Sequence, residues 1–585
     1  MRLFILLVGL LLVGGVNGQT FKLNDLFVGG TYQTHTYRIP ALEVTTKGTV
    51  IAVCDARRDN GKDLPGNIDL VMRRSFDHGN SWEPMRVILD LTEKHGCGDP
   101  SLVVDRITGR IFCFYAYAPL GISIRNAQPG NNSADDPTTQ HVQYIFSDDD
   151  GTSWSEPIDL NPWLKAKEWE GLFASSGHGI QTRSGRLLQP LVIKYDQKGD
   201  GTFQTHARNA YSDDHGKTWN VGSPVGLQVG ETKVVELSDG TVMQNMRNRK
   251  IRYRSVSLSE DGGNSFNAMT RDSTLIGPRC NASITRFKSV WEGDAYNMMV
   301  FSNPASQQGR MNMTLRFSFD DATTWPLSLP IYEGPSAYSS VIRLYDGGLG
   351  LLFENGKESP YEKISFVKIP KTELDSILQS EAILKRPGFT PYYYHRSHQF
   401  GLLPDTEDEV IFLGNSISDG AEWHEYLQDS RMKNRGISGD VTRGVLMRLN
   451  DITRIKPAKV FLLIGINDLA RGKHTKEVIN NHRKIYEQIK AESPDTQLYV
   501  QSLLPVNNFF GKFSGHTSKS DSVAIVNKAL KVMAREMGHT FVDLETAMKD
   551  NEGKLRKDLT EDGLHLNGRG YQVWVNLIKR YFDEP

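Results

Sequence analysis

The sequence predicts two domains of different class on one chain: an all-β propeller, then an α/β domain whose parallel sheet is covered on both faces. Three observations predict it. The first is a turn written five times, S-x-D-x-G-x-[ST]-W, starting at Ser75, Ser147, Ser212, Ser259 and Ser318. Its starts lie 72, 65, 47 and 59 residues apart, so the unit is a supersecondary element with connections of variable length, and radial repetition of short four-stranded sheets makes a propeller. The second is a change of pattern after Phe400, where turn-punctuated strands give way to alternating strands and helices. The third is composition: 53 glycines and 9 tryptophans suit a turn-rich β protein better than a helical one.

Taken in order, residues 1–18 read as an export signal, with Arg2 ahead of an apolar run from Leu3 to Val13 and small residues before Gln19. The run is short for a bilayer span, and no later stretch approaches one, so a periplasmic or secreted protein without membrane insertion is expected. Residues 19–370 carry the turns. In each, Asp caps nearby amides, Gly takes a left-handed conformation and an aromatic residue plugs the sheet. Phe266 replaces Trp in the fourth copy and Ala322 replaces Gly in the fifth. The Asp residues of these turns are therefore read as structural. Residues 371–390 form a linker with a short helical stretch, broken at Lys385-Arg386-Pro387-Gly388. Residues 391–585 form the second domain, with buried strands at Val410 to Leu413, Val460 to Ile464 and Leu498 to Leu503 and helices between or after them.

The balance of 68 basic to 69 acidic residues gives no net field, which argues against nucleic acid or a membrane surface as the main partner. Cys54, Cys97, Cys113 and Cys280 fit no zinc spacing; buried thiols or a disulfide are both open. No metal cluster, phosphate loop or nucleotide fingerprint is present, so no cofactor is expected. His95 and His178 read as loop residues.

Tyr37-Arg38-Ile39-Pro40 followed by the repeated turns resembles the exo-α-sialidase family, whose members are six-bladed propellers. The resemblance implies an arginine trio for the substrate carboxylate, Arg38, Arg247 and Arg310. It implies Tyr338 as nucleophile, Glu231 as its partner, Asp63 as acid/base, Glu354 orienting the first arginine and Arg57 at the pocket floor. Arg316 competes with Arg310 but belongs to the strand leading into the turn; Glu236 competes with Glu231, which the spacing to Arg247 favours. The chemistry is coherent: guanidinium forks match a carboxylate, and a neutral phenol attacks beside that charge without repulsion while Glu231 takes its proton.

Gly414-Asn415-Ser416-Ile417-Ser418-Asp419, Gly436-Ile437-Ser438-Gly439-Asp440, Gly465-Ile466-Asn467-Asp468 and Asp562-Gly563-Leu564-His565 together resemble the SGNH (GDSL-like) hydrolases, an α/β/α, flavodoxin-like fold. Carried over, Ser416 is nucleophile, His565 base and Asp562 its orienting acid, with Ser416 and Gly439 amides and the Asn467 side chain as oxyanion hole. Asn415 stands where the family has Asp, and is expected to hold the same turn. The pair implies a sialidase joined to a sialate O-acetylesterase acting on O-acetylated sialoglycans of glycoproteins, mucins or glycolipids. The alternatives are an acetylesterase for another sugar, or a glycan-binding propeller delivering an esterase.

Overall fold

The computed structural model of the chain describes residues 21–91, 95–119, 121–195, 204–294, 296–385 and 389–582; the expected export signal, 1–18, lies outside them. The chain divides into two compact units, the main division falling between Lys385 and Arg386, within the stretch read as linker, with Lys288–Asn297 grouped with the second unit. Lys371–Lys385 is an α-helix on the first side of that divide.

In the first unit, strand order shows six antiparallel quartets, two of which carry a short fifth strand: Gly177–His178 pairs parallel with Gly96–Val104, and Ile180–Gln181 pairs with Leu187–Tyr195. Four are separate sheets, beginning with Thr36–Val44, Gly96–Val104, Gly171–Ala174 and Val229–Glu236. The last two share one seven-stranded sheet through the 17-residue strand Leu327–Arg343. Its first half pairs with Met311–Ser318 and its second half with Leu349–Asn355. The chain's first described strand, Asn24–Val28, completes the sixth quartet by pairing antiparallel with Lys363–Ile369.

Each repeated turn follows the third strand of its quartet. In the first copy the Ser75 hydroxyl donates to Asp77 Oδ1 at 2.8 Å and accepts from the Gly79 amide, and Asp77 accepts from the amide and hydroxyl of Ser81 at 2.8 and 2.6 Å. The other four repeat this lattice around Asp149, Asp214, Asp261 and Asp320. Ala322 adopts φ +60°, as the glycine of the other copies does, so the fifth turn keeps its shape at some steric cost. The aromatic plugs pack across sheets: Trp82 meets Phe366 edge-on at 5.1 Å, joining first and sixth quartets, and Trp219 meets Phe114 at 5.1 Å. All four cysteines are buried free thiols.

The second unit is a five-stranded sheet whose strands are all parallel, in spatial order Met432–Gly436, Val410–Gly414, Lys459–Leu463, Gln497–Gln501, Thr540–Val542. This is the flavodoxin-like order 2-1-3-4-5, with the topological switch point beside the first strand. Strands of five residues with wholly buried faces, such as VIFLG, need helices on both sides. Thr475–Glu492, Ser520–Glu536 and Gly568–Ile578 supply them, each burying one apolar stripe. Phe412 stacks on Trp423 at 3.8 Å in this core.

Candidate active sites

The first site is built by one device used four times. A β-bulge interrupts the start of Thr36–Val44 between Arg38 and Ala41, Gly96–Val104 between Gly98 and Ser101, and Val229–Glu236 between Val229 and Thr232; a fourth lies between Ser336 and Ser339. A bulge breaks the two-residue alternation and re-aims a side chain. Here it re-aims Arg38, Asp99, Glu231 and Tyr338. Ile39 and Asp99 sit at φ +62° and +57°, strain of the kind concentrated at functional positions. The amides released from the ladders are not orphaned. Ile39 and Tyr338 N–H donate to the two oxygens of Glu354 at 2.8 and 3.0 Å, Asp99 N–H to Asp55 at 3.0 Å, and Thr232 N–H to Ser175 Oγ at 2.7 Å.

Glu354, fully buried, also accepts from Arg38 at 2.6 and 3.4 Å. Burial alone would lower the basicity of Arg38, but the Glu354 charge outweighs it and keeps the guanidinium firmly protonated. Its plane lies 4.1 Å from the Tyr361 ring centroid and 5.5 Å from that of Tyr338. Arg310 donates to the Tyr361 hydroxyl at 2.7 Å and lies 5.4 Å from the Tyr338 ring. Arg247 Nη1 donates to both Glu231 oxygens, at 2.9 and 2.6 Å, and to the Tyr338 oxygen at 3.0 Å. The Tyr338 hydroxyl donates to Glu231. Burial would push the Glu231 carboxyl up, but Arg247 and the phenol hold it down at about 2; burial and the Glu231 charge push the Tyr338 phenol well up. The ground state is thus a neutral phenol on an ionised carboxylate, flanked by three cations. Asp63 lies on an exposed loop, its carboxylate 2.8 Å from Arg57, which is itself fixed by Asp55 and the Gly61 carbonyl.

The second site sits at the carboxyl end of Val410–Gly414, beside the switch point. The Asn415 side chain caps the next turn by accepting from Ile417 N–H at 3.0 Å. Ser416 Oγ is 2.9 Å from His565 Nε2, and His565 Nδ1 is 2.7 Å from Asp562 Oδ2. Asp562 Oδ1 accepts from the amides of Leu564 and His565 at 2.8 Å each. Burial would raise this carboxyl, but the bonds from His565 and these amides lower it, so the acid is an acceptor that fixes the imidazole by its Nδ1–H. Gly439 adopts φ +82°. Asn467 Nδ2 donates to the Asp440 carbonyl at 2.7 Å. Arg448 locks these parts together: buried, it pairs with Asp440 at 2.7 Å and donates to the carbonyls of Arg435 and Gly414 at 2.9 and 3.2 Å.

Residues 56–351 match the BNR repeat-like domain, and 412–573 match the GDSL-like Lipase/Acylhydrolase family. A sialidase of Micromonospora viridifaciens is 41% identical over 342 residues, which are 57% of this chain and 52% of that protein. A Bacteroides fragilis sialidase is 30% identical, covering 54% and 60%. The chain therefore spans a little over half the length of these two relatives. Among solved structures, the Hadza microbial sialidase Hz136 superposes with TM-score 0.54 at 31% identity, covering 60% of this chain and 68% of that one. The chain belongs to the BNR-repeat sialidase family. To this sialidase unit it adds a GDSL-like acylhydrolase domain.

In the sialidase unit Arg38, Arg247, Arg310, Glu231, Tyr338 and Glu354 converge. Arg57 and Asp63 form a pair, connected to that cluster through Asp55 and Asp99. The rivals lie elsewhere: Glu236 pairs with Arg183, and Arg316 donates to Asn303 on the neighbouring strand Met298–Pro304. His178 is not a loop residue. It is buried in the strand Gly177–His178, which pairs parallel with Gly96–Val104 of the neighbouring sheet, and lies 3.2 Å from the Ile284 carbonyl. Sequence reading missed Tyr361, Asp55 and Asp99. For Asp99 a signal exists: Gly-Asp-Pro repeats the Arg-Ile-Pro arrangement of a left-handed residue followed by proline at the head of an inner strand. In the acylhydrolase domain it missed Arg448, Arg471 and His516.

Proposed function

We propose that the chain is an exported exo-α-sialidase that hydrolyses terminal sialic acids with retention, joined to a serine esterase that removes their O-acetyl groups. The observation that carries the first half is the Tyr338 phenol bonded to Glu231 among Arg38, Arg247 and Arg310. The arginines clasp the carboxylate on the anomeric carbon. That contact draws Arg247 away from Glu231, which regains basicity and takes the phenol proton as Tyr338 bonds to the anomeric carbon. Asp63 protonates the departing glycosidic oxygen, then deprotonates the water that displaces Tyr338, whose oxygen recovers its proton from Glu231.

For the second half, support comes from the Ser416–His565–Asp562 geometry and from tethering to a sialidase, since acetyl esters on the sugar hinder glycosidase access. Ser416 attacks the acetyl carbonyl, His565 carries its proton to the departing sugar alcohol, and water completes turnover. The sugars involved are terminal sialic acids of glycoproteins, mucins or glycolipids.

The test is mass spectrometry of sugars released from a heavily O-acetylated sialoglycoprotein. Wild type is expected to release deacetylated sialic acid, Ser416→Ala acetylated sugar or little sugar, and Tyr338→Phe almost none. Unchanged release by Tyr338→Phe would make the propeller a binding module. Acetylated products from wild type, with deacetylation of xylan acetate instead, would assign the esterase to another sugar.

A further inference from the structure

The two residues that position the oxyanion hole lie outside every motif block. Arg471 Nη2 donates to the Gly439 carbonyl at 2.7 Å. It follows Asn467 by four residues, so both side chains lie on one face of the Ile466–Ala470 turn. His516 Nε2 is 2.9 Å from Asn467 Oδ1. Phe513, about half exposed, stands edge-on to both His516 and His565, at 5.8 and 5.1 Å. Arg471 is close enough to His516 for its charge, with burial and His565, to lower that imidazole's basicity. Arg471, His516 and Phe513 are therefore the mouth of one site.

Three facts about Arg471 point to a ligand. Its backbone sits at an exposed helix end while the guanidinium turns inward to the oxyanion loop. One of its five N–H donors meets Gly439, and among the described residues it makes no ion pair. The carboxylates of the site are all engaged elsewhere: Asp440 by Arg448, Asp468 by the N–H and hydroxyl of Thr442, Asp562 by His565, Asp419 by Ser438. A cation so placed, with its forked edge open to solvent, matches a carboxylate arriving with the substrate. The alcohol half of the ester must lie on the His565 side, because His565 hands its proton to the leaving oxygen. Phe513 borders that space and offers the C–H face of a sugar ring an apolar surface.

We propose that Arg471 binds the carboxylate of an acetylated sugar acid, with Phe513 under the ring, so that the esterase selects acidic over neutral acetyl sugars. This rests on the assignment of Ser416 as an esterase nucleophile.

The test uses the purified full chain and reads released acetate from 4-O- and 9-O-acetyl N-acetylneuraminic acid and from their carboxyl methyl esters. Wild type is expected to favour the free acid by about tenfold or more in kcat/KM, as a charge-assisted fork predicts. In Arg471→Gln the acid-to-methyl-ester ratio is expected to fall near unity, and Arg471→Lys to restore part of it. Because the readout is a ratio, any general loss from freeing Gly439 cancels. A wild type without preference, or an Arg471→Gln that keeps it, overturns the proposal. Acetate release surviving in Ser416→Ala would instead overturn the esterase assignment beneath it.

Discussion

Arg247 gives one nitrogen to Glu231 and Tyr338 at once, so the resting site is a self-satisfied triad that a substrate must open. Glu231→Gln keeps the shape but cannot accept the phenol proton. We expect kcat on an aryl sialoside to fall by about 10²–10⁴-fold, the usual worth of a positioned base, with KM changing far less; a loss confined to KM would make Glu231 a binding residue. Tyr338 was legible in the sequence from its short string, and Glu231 and Arg247 from their spacing of 16 residues. Tyr361 was not, because long-range folding brings it in: it reaches Arg38 across 323 positions of chain, and no local pattern encodes that. Asn415 shows the opposite case. A departure from the motif was readable, and its consequence was too, since an amide oxygen accepts the Ile417 N–H as a carboxylate would.

Among elements, the repeated turn is the most sequence-determined, as its lattice of Ser, Asp and Gly closes within a few residues. Gly79 and Gly216 are needed for space as well as for φ: a Cβ there would lie 2.4 Å from Phe366 and 2.2 Å from Phe112. Ala322 meets the φ demand without being glycine. Ala322→Gly is expected to stabilise the sialidase unit by about 1 kcal/mol, read as a shift in denaturation midpoint with sialidase activity unchanged; no shift would mean the turn has relaxed around the alanine. The strand Leu327–Arg343 was illegible for a physical reason. Proline and glycine weaken a strand pattern; Gly334 and Pro335 fall where the ladder partners change, whereas Pro330 pairs with Thr314 inside the first ladder.

At the scale of the whole molecule, the first unit buries two neutral histidines that the proposed chemistry does not use, His178 and His206, and the second buries His482. His178 and His482 are held down at about 4 by burial, the latter bonded to the Ile464 carbonyl at 2.9 Å. A folded value below the unfolded one means that the unfolded chain binds the extra proton. The stability these residues contribute is complete above about pH 6.5 and is lost as pH falls toward 4. His482→Gln should therefore cost stability at pH 7 but progressively less at lower pH, the gap to wild type narrowing by about 3 kcal/mol by pH 4. Parallel unfolding curves for the two proteins across that range would place the proton elsewhere.

The bulge pair held by Glu354 has a mechanical side. Arg38 belongs to the first blade; Glu354 and Tyr338 belong to the last, the blade that Asn24–Val28 closes. The arginine pocket, which also draws Arg247 from the fourth sheet, therefore spans the seam of the ring, and a carboxylate bound there is a buckle fastened over the closure. Saturating the pocket with a sialic acid analogue should slow amide hydrogen exchange in Asn24–Val28 and its partner strand more than in sheets remote from the seam, in proportion to ln(1 + [L]/Kd). Uniform protection around the ring would mean that the buckle carries no load. If the seam is where protection gathers, the ligand that fills the arginine pocket is also what keeps the circle shut.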